Sequence, residues 1–117
     1  MLQIAQHVDD LARAVDFYTV LLERPPLVVT ETQAFFDLGE ARLHLDGEAP
    51  SSMFRVEVEN VHETLERLTG LVDVVAAPAL VRTHDDNALG PEGREEWQAL
   101  VRDSEGNTVG MLAFQKA

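Results

Sequence analysis

Four histidines, a few isolated arginines and a surplus of carboxylates carry whatever chemistry this chain can do. His7 and His44 are the candidate acid–base groups, because imidazole titrates near neutral pH. A single histidine on a strand also serves as a plain hydrogen-bonding residue, and both readings stand at this stage. Residues two or four apart on a strand point the same way. Gln3 therefore shares a face with His7, Arg42 with His44, and Met53 with Arg55 and Glu57. Arg55 and Glu57 read equally as an ion pair and as ligand-binding groups. A sheet face turned to water is polar for no special reason. A concave face with a few placed polar groups is a ligand pocket. His84-Asp85-Asp86 falls in a long loop and reads as solvated rather than as a cation site. His62 lies on the exposed side of a helix and needs no special role. Trp97, the one tryptophan, could stack on a planar or cationic ligand, but its parity with Ala99 and Val101 places it in the core. The chain has no phosphate-cradling glycine loop, no GxSxG elbow and no HExxH pair.

Those residues need strands and helices to hold them. Leu2 to Val8 alternates as a strand, with Leu2, Ile4 and Val8 on one side and Gln3, Ala5 and His7 on the other. Asp9 or Asp10 can cap the helix that follows. Leu11, Val15, Tyr18 and Leu22 form a helical stripe, widened by Ala14, Phe17 and Leu21. Pro25 and Pro26 end it. Three short strands are expected over Leu27 to Thr30, Ala34 to Leu38 and Ala41 to Leu45, the last two joined by a turn at Gly39-Glu40. Asp46 to Ser52 reads as a linker. Met53 to Val58 alternates again, with Phe54, Val56 and Val58 as its apolar side. Asn60 and Glu63 make a capping-box pattern. Val61, Leu65 and Leu68 carry a second helical stripe to Gly70. A strand over Leu71 to Ala76 follows, then a long loop from Ala77 to Gly93 of the kind that is a lid or is disordered. Trp97 to Arg102 and Thr108 to Phe114 are the last strands, turned by Ser104-Glu105-Gly106-Asn107.

Shifted by 50 residues, the halves match. Val8-Asp9-Asp10-Leu11 lies over Val58-Glu59-Asn60-Val61, Val15 over Leu65, Tyr18 over Leu68, and Ile4 over Phe54. The expected fold class is α+β: two tandem βαβββ units, residues 1–47 and 52–117, within one domain spanning 1–117. Each unit covers one sheet face with its helix and leaves the other open. Two such units together can close an open, cleft-bearing mixed sheet.

Composition narrows the partners. With 21 acidic and 9 basic residues the formal net charge is −12. Such a chain repels nucleic acid and anionic membranes, and favours a cationic ligand over an anionic one. Solvated surface acids that aid solubility are the favoured account of the charge. No apolar run approaches the roughly 18 residues of a membrane span, and residues 1–10 do not read as a signal peptide. There is no cysteine, which rules out disulfides and thiolate metal sites and fits a cytoplasmic protein.

Asp10-Leu11-Ala12-Arg13-Ala14-Val15-Asp16-Phe17-Tyr18 resembles the opening signature of the vicinal oxygen chelate superfamily, which includes glyoxalase I, bleomycin-resistance proteins and extradiol dioxygenases. Asp103-Ser104-Glu105-Gly106-Asn107 resembles its closing turn, with Ser104 where proline is usual. The resemblance spans nearly the whole chain and implies the same paired βαβββ plan. Metal-dependent members hold a divalent ion with four side chains, whose positions fall here on Gln3, His44, Met53 and Gly110. Glycine has no donor, and a thioether is a poor partner for hard or borderline ions. Only His44 and, weakly, Gln3 qualify, against the roughly three protein ligands a catalytic site needs.

No metal and no cofactor are therefore expected at that centre. The reading is a metal-free small-molecule binding protein resembling the bleomycin-resistance branch, with ligand contacts at Gln3, His7, Arg42, His44, Arg55 and Glu57. Family members of this length commonly pair, so a homodimer is expected. One rival is a metal-dependent lyase or dioxygenase with a rearranged site of His7, His44 and Glu57. Another is a non-catalytic partner domain with a filled cleft.

Overall fold

The computed structural model describes every residue except Ser51, Asp103, Glu105, Gly106 and Asn107. The described chain divides into two compact units, Met1–Phe54 and Arg55–Ala117. The first holds β1 (Leu2–His7), α1 (Leu11–Leu22), β2 (Val28–Val29), β3 (Gln33–Asp37) and β4 (Ala41–Asp46). Then come β5 (Met53–Glu57), on which the division falls, α2 (Val61–Arg67), β6 (Asp73–Thr83), β7 (Arg94–Arg102) and β8 (Thr108–Lys116). The α+β plan of two successive βαβββ units is the one expected from the sequence.

Each unit builds a mixed sheet. In the first the order is β2-β3-β4-β1, with β1 parallel to β4 and the other neighbours antiparallel. In the second it is β5-β8-β7-β6, with β5 parallel to β8. The parallel pairs follow from the helix between the first two strands, since a parallel return needs a long crossover.

Under α1 lie Ala34, Phe36, Leu43 and Leu45, packed by Leu11, Ala14, Val15, Tyr18 and Leu22. These are the stripe positions at helical spacing, so the helix exists to cover that sheet face. Phe36 is fully buried, a transfer worth about 2–3 kcal/mol. Phe17 and Leu21, expected to widen the stripe, instead stand 60% exposed, because they fall on the far side of the helix. Asp10 is the cap, accepting from the Arg13 amide at 3.1 Å. Pro25 and Pro26 follow a left-handed Glu23 that closes the helix.

Val61, the buried first residue of α2, clusters with Ala99, Val101, Met111 and Ala113 of the sheet, and Leu65, Leu68 and Trp97 pack against them. Trp97 is thus a core residue. Phe54 and Val56, expected on the covered side of β5, are both about two-fifths exposed. The reason is the shortness of α2, whose seven residues lie against β7 and β8. Asn60 caps α2 by accepting from the Glu63 amide at 3.0 Å. Asn60→Ala is expected to cost about 1 kcal/mol, read as a melting temperature lowered by roughly 4 °C. An unchanged melt would show that the cap carries no stability.

The largest departure from expectation is β6. The sequence places Ala77 to Thr83 in a loop, yet these residues continue the strand to Thr83 and pair with β7. Pro78 misleads because it forbids a central strand but not an edge one, and β6 is the free edge of this sheet. Three register shifts along β6 absorb the mismatch. The true loop is 84–93. The turn expected at Ser104 to Asn107 lies, apart from Ser104, outside the described residues. No helix among the described residues is long and apolar enough to cross a membrane.

Candidate functional site

Alternation sends Leu43 and Leu45 beneath α1 and therefore Arg42, His44 and Asp46 to the opposite face of β4. Register places Gln3 beside Arg42, Ala5 beside His44, and Phe35 beside His44 from the other side. The result is one connected row. The Arg42 Nε–H donates to Gln3 Oε1 at 2.7 Å. The Arg42 guanidinium carbon lies 5.3 Å from the centre of the Phe35 ring, within cation–π range. Phe35 stacks parallel on His44 with centroids 4.6 Å apart. His44 Nε2 is 3.5 Å from Asp46 Oδ2, which accepts from Gln33 Nε2 at 2.8 Å. Gln3, Phe35, Arg42, His44 and Asp46 are all buried. Polar groups this deep need partners, and here much of the row supplies its own. Sequence reasoning does not single out Phe35, Asp46 or Gln33. Asp46 shares the parity of His44 on its strand, and that was the available signal.

His7, at the end of the same face, is exposed and contacts Asp9 at 2.9 Å. The hydrogen bond to Asp9, together with its charge, raises the His7 pKa above the ordinary imidazole value. A raised folded pKa adds stability at low pH that is lost as pH rises through that value. An NMR titration should place the His7 midpoint above the ordinary imidazole value, and Asp9→Asn should bring it down. His7 opens on a groove of about 510 Å³, shared with Asp9, Asp10, Arg13, Phe17 and Tyr18. A groove of about 450 Å³ lies beside Glu59, Asn60, Glu63 and Arg67 in the second unit. Its recurrence at the start of both helices makes it a product of the repeat.

In the second unit the uncovered face carries Arg55, Gly110, Leu112, Phe114, Glu96 and Gln98 by register. Arg55 is paired with Gly110 and lies across it. A Cβ at 110 would overlap Arg55 Cγ and come within 3.3 Å of Arg55 Cδ and Leu100 Cδ2. Glycine is required there because the arginine stem fills the space a side chain would take. Arg55 is buried, and Glu57, two residues on, is exposed.

Further along this face, Glu96 is fully buried. Its Oε1 meets His84 Nε2 at 2.9 Å, and its Oε2 accepts from Gln98 Nε2 at 2.7 Å. Arg82 Nε stands 3.9 Å from the same carboxylate. His84, expected in a solvated loop, is therefore buried. It forms the first residue of the 84–93 loop and its imidazole turns inward onto Glu96, while Asp85 and Asp86 stay exposed. Nothing local in the sequence marks the pairing of residues twelve apart across a hairpin.

A divalent ion does not fit the four positions that metal-dependent relatives use. Gln3 already accepts from Arg42, Met53 is a buried thioether and Gly110 lies under Arg55, which leaves His44 as the one ordinary metal donor of the four. Among the described residues, no three His, Asp or Glu side chains are grouped to hold a metal.

Paired βαβββ units with a polar uncovered face define a class of fold, and the comparisons place the chain within it. The chain belongs to the Glyoxalase/Bleomycin resistance protein/Dioxygenase superfamily, whose family model matches residues 1–111. A Legionella pneumophila structure described as an NAD-dependent benzaldehyde dehydrogenase is similar at 15% identity and TM-score 0.73, covering 98% of this chain and 100% of its own. A glyoxalase/bleomycin resistance protein/dioxygenase superfamily member from Vibrio splendidus 12B01 is similar at 12% identity and TM-score 0.67, with 97% of each chain covered. At such identities the likeness establishes the fold alone. No curated protein matches the chain.

Proposed function

We propose that this chain is a metal-free small-molecule binding protein resembling the bleomycin-resistance branch of its superfamily. The observation that carries the reading is the Arg55 stem lying over Gly110, where a metal-dependent relative would need a carboxylate. The aliphatic stem of Arg55 in that space leaves no room for a carboxylate-bearing side chain. Ligand contacts fall to Gln3, His7, Arg42, His44, Arg55 and Glu57, of which His7 and Glu57 reach solvent. The net charge of −12 favours a cationic or basic ligand. A cytoplasmic homodimer completes the reading.

Metal analysis of protein purified without chelator is the test. The expected result is well under one equivalent of zinc, nickel, manganese or iron. One equivalent, lost on His44→Ala, would overturn the reading and promote a metal-dependent lyase or dioxygenase. A thermal-shift screen of organic cations against matched anions should favour the cations. Light scattering at tens of micromolar should give a mass above the 13.0 kDa of one chain.

A further inference from the structure

The 84–93 loop meets the sheet at few points. Apart from His84 at its start, only Leu89 and Gly90 are even half-buried, and Asp85 to Ala88 and Pro91 to Gly93 are exposed. It is braced internally: Asp86 Oδ1 accepts from the Ala88 amide and Asn87 Oδ1 from the Glu92 amide, both at 2.9 Å. At its base the His84 amide donates to Arg94 O at 3.0 Å, and the Gly93 amide to His84 O at 2.9 Å. Gly93 has φ +83, a backbone state that glycine adopts freely. A loop braced mainly within itself and tied to the strands through these base amides forms one local unit that opens when those bonds part.

Beneath it lies a floor unlike a core. Phe114 has the parity of Gly110 and Leu112, opposite the Met111 and Ala113 that α2 covers. The His84 ring meets Phe114 edge-on, with centroids 5.4 Å apart, while its Nε2 holds Glu96. Gly90 presses on both rings: a Cβ there would overlap Phe114 Cε1 and approach His84 Cε1 and Nε2 to 2.9 Å. A carboxylate held by His84, Gln98 and Arg82 beside an aromatic ring has the makings of a binding floor, where a core would be apolar.

We propose that residues 84–93 are a lid over the uncovered face of the second unit, closed here and latched by His84 to Glu96. The lid would gate Arg55 and Glu57, the proposed ligand contacts on this unit, so its purpose rests on that reading. Its motion does not, and is measured without ligand, so the two fail separately.

Residue-resolved hydrogen exchange on the full chain in increasing urea tests it. Local openings expose little surface and depend weakly on denaturant, whereas global unfolding has the full slope. The His84 and Gly93 amides should exchange through a urea-insensitive opening, while Ala99 and Met111, central in the β7–β8 ladder, follow the global slope. A shared slope for both sets would overturn the proposal. Gly90→Ala supplies the second arm, because its backbone is compatible with alanine and only the closed lid is crowded. Exchange at His84 and Gly93 should quicken about tenfold or more, with Ala99 and Met111 changed less than about twofold. Equal quickening everywhere, or none at the loop, would also overturn it.

Discussion

Gly110→Ala is expected to destabilise the chain by about 1–3 kcal/mol, the usual cost of forcing extra atoms into a filled site. The added Cβ overlaps the Arg55 stem and crowds Leu100, and Arg55 is itself buried, so it has little room to retreat. The melting temperature should fall by roughly 5–10 °C. The pair should behave non-additively. With Arg55→Ala the stem is gone and the methyl added at Gly110 fits. The double variant should therefore be more stable than the two separate losses predict by over about 0.5 kcal/mol, the limit of additivity for independent sites. Strict additivity would refute steric exclusion as the reason for the glycine. The same geometry bears on restoring a metal donor. Gly110→Glu meets the same stem, so a carboxylate at 110 should bind metal only when Arg55 is shortened as well.

His84→Ala should cost about 3 kcal/mol, because it leaves the buried Glu96 carboxylate short of its closest ionisable partner. Gln98 and Arg82 remain, which holds the loss to the lower end of the range for breaking buried pairs. Urea unfolding measures it directly. Glu96→Gln in the same background replaces the orphaned carboxyl group with a neutral amide, so the double variant should recover part of the loss. His84→Gln, which retains a donor, should be milder than His84→Ala. A full-strength loss in the double variant would mean that the cavity under Gly90 matters and the charge does not.

Much of the frame is legible in the sequence because it is written in local periods. The 50-residue repeat, the caps at Asp10 and Asn60, and the parity of Leu43 and Leu45 against Arg42 and His44 all follow from spacing along one element. What stays hidden depends on register between elements. Nothing near Gly110 announces that Arg55 lies opposite, and Glu96 betrays its burial only through Gln98, His84 and Arg82. His84 sits beside aspartates that are exposed, so composition describes its neighbours and misses the one residue turned inward. Pro78 misleads for a different reason: its veto on strands lapses at an edge, and edge position is decided by topology.

That edge has a consequence for the protein at high concentration. β6 is eleven residues long, and Val74, Val75, Leu80 and Val81 stand substantially exposed along it, the makings of a template on which another chain could zip up. Pro78 falls in the register shift between Ala76 and Ala79, and the three such shifts keep the strand from lying flat. An incoming strand would find two short runs in place of one continuous ladder. The residue that disguises β6 as a loop also protects it from runaway fibrillar assembly.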